Sequence, residues 1–253
     1  MFYRATKLRD YRLNALDGEI GKVKDDYFDD RYWTTRYLVA DTGNWLSSRK
    51  VLISPLALID VNPEQQTINT ELTKKQIENS PSIDADMPVS RQHEEAYYGY
   101  YGWTGYWYGG YAWGDYYYLP SKSERKFAAR ARGWDADLRS SHEVRGYHIS
   151  AKDGEIGHID DFIIEDLTWA IRYIVVDTRN WWPGKKVIIS SDWIENVNWY
   201  EHEVYVNLNR EDIKTAPGYT DDMVITRDYE IDLYRHYDLE GYWVKTTKAK
   251  LKM

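Results

Sequence analysis

The stretch Asp17-Gly18-Glu19-Ile20-Gly21 returns intact as Asp153-Gly154-Glu155-Ile156-Gly157, 136 residues further on. The same offset holds without a gap from Tyr11/Tyr147 to Trp107/Trp243, and about a third of the paired positions over those roughly 97 residues are identical. Chance does not align two segments of that length, so the sequence reads as one structural unit written twice. This constrains the fold more than any single motif does, because the architecture of the first block must also suit the second. A chain of 253 residues is long enough for two such domains, each with its own core.

Each block reads as a series of short strands. Tyr11 to Ala15 and Glu19 to Phe28 flank Asp17-Gly18, a dipeptide that closes two-residue hairpins because both positions tolerate positive φ. Trp33 to Thr42 is rich in β-branched and aromatic residues. Its copy, Trp169 to Thr178, is apolar at nearly every central position, as a strand covered on both faces should be. Asn44-Trp45 and Asn180-Trp181 mark loops, with Trp182-Pro183-Gly184 adding a turn signal in the second copy. Lys50 to Ser54, Leu58 to Asn62 and Thr67 to Leu72 complete the strands of the first copy. Thr73 suits an N-cap before Lys74 to Asn79, and Pro81 is a stop; Asn209 to Pro217 repeats that arrangement. The expected fold is therefore mainly β: two small barrels, each followed by a short helix. One unit of roughly 70 residues buries only about 60% of its unfolded surface, so two fused copies gain by packing together, in an expected pseudo-two-fold arrangement.

These motifs carry a family resemblance. The Asp-Gly-Glu-Ile-Gly turn, the strand ending Arg36-Tyr37-Leu38-Val39-Ala40-Asp41-Thr42, the Asn44-Trp45 loop, Lys50-Val51-Leu52-Ile53-Ser54 and the helix before Pro81 resemble the PRC-barrel domain. That domain is known from the cytoplasmic part of the photosynthetic reaction centre H subunit and from the C-terminal part of a ribosome-maturation factor. The resemblance covers Arg9 to Pro81 and Arg145 to Pro217, and the tail with Met87 to Arg91 is similar to that of stand-alone bacterial tandem members. It implies a barrel fold and an interaction module rather than a settled activity. The reaction-centre relative has a transmembrane helix with no counterpart here.

Between the blocks the chain becomes individual. It has 12 Trp and 24 Tyr against 4 Phe, and from Ala96 to Tyr118 Tyr and Trp alternate with Gly. Rings with a polar handle suit partly wet contact surfaces. Tyr106, Trp107, Tyr108, Tyr111, Trp113, Tyr116 and Tyr117 are the candidate interaction surface; the same rings could instead seal the junction between two barrels. Gly105-Tyr106-Trp107 recurs as Gly241-Tyr242-Trp243, whereas the part from Tyr108 onward has no counterpart. No strand period runs through the tract. Beyond Pro120, Lys122, Arg125, Lys126, Arg130 and Arg132 predict a short basic amphipathic helix, and Lys245, Lys248, Lys250 and Lys252 form a basic C-terminal tail.

Among groups that could carry chemistry, Arg36/Arg172 and Asp41/Asp177 are identical in both copies and share a strand, either as a ligand-facing pair or as surface charges that pair locally. Trp45 and Trp181 are read either as exposed stacking platforms or as lids over the open barrel ends. Asp25, Asp26, Asp29 and Asp30 lack the spacing and glycine of a calcium loop, and Phe162 replaces Asp26 in the copy, so they are expected to be solvated hairpin residues. None of the six histidines recurs in the other copy or lies at metal-binding spacing. Phosphate-loop and nucleophile-elbow motifs are missing, as are cysteines. No enzyme, cofactor or metal is expected.

The expected organisation is a first barrel with helical tail over 1–95, an aromatic and basic connector over 96–140, a second barrel with tail over 141–243, and a basic tail over 244–253. The leading functional expectation is a non-enzymatic protein-interaction or scaffolding module for an unidentified protein, with a homo-oligomer possible. RNA or ribosome binding is one alternative, through rings beside Lys122 to Arg132, although a net charge of −8 opposes it. Peripheral attachment to a membrane or photosynthetic complex through the Lys-rich end is another. A start without an apolar run, and no stretch of membrane-spanning length, make a cytoplasmic location the expectation.

Overall fold

The computed structural model describes residues 1–43, 45–46, 49–81, 89–108 (backbone alone for Tyr108), 138–178 and 185–244. Tyr111, Trp113, Tyr116, Tyr117, Trp181, the basic helix expected between Lys122 and Arg132, and the lysines beyond Val244 lie outside the described residues.

Among the described residues fourteen strands carry the fold. In the first half these are β1 (Phe2–Arg4), β2 (Arg12–Ala15), β3 (Gly18–Asp29), β4 (Thr34–Asp41), β5 (Lys50–Ile53), β6 (Leu58–Asn62) and β7 (Thr67–Thr70). The second half has β8 (Leu138–Ser140), β9 (His148–Ala151), β10 (Gly154–Glu165), β11 (Ile171–Asp177), β12 (Lys186–Ser190), β13 (Ile194–Asn198) and β14 (Glu203–Val206). They form two seven-stranded mixed sheets of the same order, β5-β4-β3-β2-β7-β6 with β8 on β3, and β12-β11-β10-β9-β14-β13 with β1 on β10. The strand spans expected from the sequence agree with these to within a residue or two. Closure into barrels is not observed: among the described residues β5 and β6, like β12 and β13, are ladder ends. The 3-10 turn Pro55–Ala57, capped by Ser54 Oγ, carries the chain from one end strand to the other without a ladder between them.

The compact units do not follow chain order. One comprises Ala5–Ser141 with Leu167–Ala170; the other comprises Met1–Arg4, His142–Asp166 and Ile171–Met253. The cause is local. β3 has twelve residues but β2 only four, so β2 covers Gly18 to Lys22 and leaves the same edge open around Tyr27 to Asp29. β8 fills that edge, Tyr27 opposite Ser140 and Asp29 opposite Leu138. In the other unit β1 fills the matching edge of β10, with Arg4 opposite Ile163 and Phe2 opposite Glu165. Each unit is thus completed by a three-residue strand from the other half of the sequence, in the same register.

Asp25 and its copy Asp161 hold these added strands. Asp25 accepts from Ser140 Oγ at 2.5 Å and faces Arg9, while Asp161 accepts from Arg4 Nε at 2.6 Å. The carboxylates expected in solvent are therefore used within the fold, with Asp25 and Asp30 half-buried. Asp26 takes the Ser141 hydroxyl, Asp29 the Arg36 guanidinium and Asp30 that of Arg139. Asp26 and Asp29 are buried. The hairpin reading failed because β3 runs through this stretch and acquires a neighbour 109 to 115 residues away.

The repeated Asp-Gly-Glu-Ile-Gly segment has two structural tasks. Asp17 Oδ1 accepts the Lys74 N–H at 2.7 Å and Asp153 Oδ1 the Arg210 N–H at 2.8 Å, fixing the first turns of helices Lys74–Glu78 and Arg210–Thr215. Gly21 and Gly157 lie at φ +148° and +142°, and a Cβ there would come within 2.0 Å of Asp41 O and 2.1 Å of Asp177 O. Only glycine lets β3 and β10 pass that carbonyl. Gly21→Ala is expected to destabilise the protein by about 3 kcal/mol or more, measured as a lowered denaturant midpoint, whereas Ala at exposed Gly99, where a Cβ meets nothing, should cost no stability.

Candidate functional site

Helix Arg91–Tyr101 begins where Ser90 Oγ accepts the His93 N–H and ends at Gly102 in the left-handed conformation, φ 72°. Ala96 to Tyr101, expected as irregular tract, instead has Tyr97, Tyr98 and Tyr101 at helical spacing toward the sheet. Its counterpart is Arg227–His236, capped by Thr226.

A buried carboxylate joins each helix to its sheet. Glu94, 1% exposed, accepts at Oε1 from the Tyr37 hydroxyl of β4 (2.9 Å) and the Tyr106 hydroxyl (2.7 Å), while Arg91 Nη1 lies 2.7 Å from Oε2. Glu230, also 1% exposed, repeats this with Tyr173 (2.6 Å), Tyr242 (3.0 Å) and Arg227 (2.9 Å). Cations sandwich the rings: Arg36 lies 4.0 Å from the Tyr106 ring centre and Arg91 4.4 Å from that of Trp107. In the other unit Arg172 lies 4.3 Å from Tyr242 and Arg227 4.4 Å from Trp243. Gly105 and Gly241 permit the tight turn before these rings, since a Cβ would meet the indole of Trp107 at 2.4 Å or of Trp243 at 2.3 Å.

The candidate residues thus separate. Arg36 and Tyr106, picked on different grounds, are in contact; so are Arg172 and Tyr242, and Trp107 and Trp243 complete the two clusters. Arg36 is 1% exposed and its Nε donates to Asp29 at 2.6 Å; Arg172 donates from Nη2 and Nε to the single oxygen Oε2 of Glu165, at 2.6 and 3.0 Å. Arg36 is therefore a buried, paired charge and Arg172 a half-buried, paired one. Asp41 accepts the Gly43 N–H in a turn, Asp177 is buried at the end of β11, and the half-buried Trp45 ring lies under Lys74 Nζ at 5.2 Å. Glu94/Glu230 and Arg91/Arg227 were missed as site residues, although an identical Arg-x-x-Glu in both copies was the available signal.

Where the halves differ, their cores compensate. Ala57 and Tyr97 of the first correspond to Trp193 and Leu233 of the second, so a large ring comes from the helix in one unit and from beside the sheet in the other. Tyr97 donates to Leu52 O and accepts from Ser54 N; Trp193 packs on Tyr234 and Tyr237 at 5.0 and 4.7 Å. Beside Trp193 lies an open cleft of about 250 Å³ bordered by Ile194, Leu239, Asp192, Glu195 and Asn207. Among the described residues no group of three or more His, Asp or Glu side chains is disposed to hold a metal ion, and no helix is long and apolar enough to cross a membrane.

Burial raises the Glu94 carboxyl against the opposing pull of Arg91 and the two hydroxyls. Burial, reinforced by the neighbouring carboxylates, likewise raises the phenols of Tyr37, Tyr106, Tyr173 and Tyr242. No family model matches the chain, and no curated protein matches it.

Removing one partner of a buried ion pair strands the other, so Glu94→Ala should cost about 3 to 5 kcal/mol, and Tyr106→Phe about 1 kcal/mol, by denaturant unfolding. The raised phenol pKa values place their stabilisation below the ordinary value of about 10, with loss as pH climbs toward the folded-state values. Tyrosinate absorbance from the buried rings should therefore rise together with loss of far-UV circular dichroism, not before it.

Proposed function

We propose that the chain is a non-enzymatic protein-interaction or scaffolding module of the PRC-barrel type, arisen by internal duplication. Its contact surface is the aromatic segment containing Tyr108, Tyr111, Trp113, Tyr116 and Tyr117. The observation that supports this reading is how the segment is held at its ends. Tyr106 and Trp107 are fixed by the Glu94 cluster, Leu138–Ser140 is a strand on β3, and both belong to the same unit. A segment rich in Tyr, Trp and Gly whose two ends are anchored in one compact unit is how binding loops are generally carried. The equal strand order of the two sheets supports the reading of an internal duplication.

The test is affinity capture from native lysate with the full chain and with a version in which residues 108–118 are replaced by a Gly/Ser linker, each with and without nuclease. The expected result is a defined protein partner held by the full chain, lost on replacement and indifferent to nuclease. Equal recovery with both versions would remove the segment from the interface; loss on nuclease treatment would favour nucleic acid, with rings and the Lys122 to Arg132 cations as the contacts.

A further inference from the structure

The chain uses Tyr where a core ordinarily uses Phe. It has 24 Tyr and 12 Trp against 4 Phe and no Cys, and Tyr37, Tyr97, Tyr98 and Tyr173 are at most 2% exposed. A buried phenol must find a hydrogen-bond partner, a demand that Phe avoids, so packing alone does not account for this choice. What Tyr and Trp share, and Phe lacks, is ready one-electron oxidation.

Their arrangement is continuous. In the first unit the partly exposed Trp103 stacks on Tyr101 at 4.6 Å and lies 6.1 Å from both Tyr97 and Tyr98. Tyr97 lies 5.4 Å from Tyr37; Tyr98 lies 6.1 Å from Tyr106 and 5.0 Å from Trp107. In the second unit Trp193 reaches Tyr234 at 5.0 Å, and Tyr234 lies 5.0 Å from Trp243 and 6.4 Å from Tyr242. Each path ends on a phenol that donates to a buried carboxylate, Tyr37 and Tyr106 to Glu94 and Tyr242 to Glu230, and Tyr173 donates to that same Glu230. A phenol gives up an electron readily only if its proton has somewhere to go, and here an acceptor is already in place.

We propose that each aromatic cluster is a relay that draws oxidising equivalents from the surface to a tyrosine–carboxylate pair. An oxidising radical takes one electron from Trp103 or Trp107 and is reduced. Tyr106 or Tyr37 returns an electron to the indole through Tyr98 or Tyr97, and its phenolic proton passes to Glu94 Oε1. The products are the reduced oxidant, a neutral tyrosyl radical and a protonated Glu94. A diffusible one-electron reductant such as ascorbate then restores the phenolate, which takes the proton back from Glu94. The activity is distinct from partner binding and does not depend on it.

The experiment is flash oxidation of the full chain by photogenerated tris-bipyridyl ruthenium(III), followed by transient absorption. In the folded protein the indolyl band should decay with matching growth of the tyrosyl band, faster than in the guanidinium-unfolded chain. A variant carrying Tyr37→Phe, Tyr106→Phe, Tyr173→Phe and Tyr242→Phe should lose most of the tyrosyl amplitude, and Glu94→Gln with Glu230→Gln should slow its growth. Equal conversion rates in folded and unfolded chain, a comparison that needs no variant, would overturn the relay. An undiminished tyrosyl amplitude in a folded four-Phe variant would overturn it as well.

Discussion

The structure depends on one unfavourable act, the burial of a carboxylate between helix and sheet. Taking an ionised Glu out of water costs several kcal/mol unless its oxygens are fully engaged. Glu94 and Glu230 are engaged by two phenols and an arginine each, and the bonds are charge-assisted. The consequence is directional. Helix Arg91–Tyr101, the Gly-Tyr-Trp turn and β4 can meet in only one arrangement, because any slip strands a buried charge. Arg36 and Arg172 extend the constraint within their own units, lying over the rings of Tyr106 and Tyr242 respectively while paired to Asp29 and Glu165.

A second constraint is geometric. β3 and β10 are three times longer than the strands that pair with their first halves, and an open edge in the middle of a sheet is a liability. Each sheet solves it by receiving a short strand from the other half of the sequence, held by Asp25 or Asp161. A cut anywhere between the two blocks therefore strips β1 from β10, and one made before Leu138 also strips β8 from β3. Identical Asp25/Asp161 and Asp30/Asp166 pairs, unexplained as solvated hairpin residues, make sense as anchors of these strands.

The repeat and the strand positions were legible because hydrophobic alternation, Asp-Gly turns and caps act over a few residues. Gly21 was visible only as part of a motif, since its reason is a carbonyl twenty residues away on the neighbouring strand. β1 and β8 were not legible: three residues carry no period, and their partners lie far along the chain. Helix Arg91–Tyr101 hid beneath its tyrosines, which in a Gly-rich context read as a tract although Ser90 and Gly102 bracket it. Arg36 was selected as a polar residue on a strand, and its burial could be inferred only by seeing Asp29 and Tyr106 arrive on either side of it.

The most direct test of the carboxylate's role is native-state hydrogen exchange on Glu94→Gln compared with the unaltered chain. If Glu94 holds the helix and the Gly-Tyr-Trp turn to the sheet, amides from His93 to Trp107 will exchange faster while those of β3 and the whole second unit keep their protection. Unchanged protection across His93 to Trp107 would contradict the account, and would mean that ring packing alone holds this element in place.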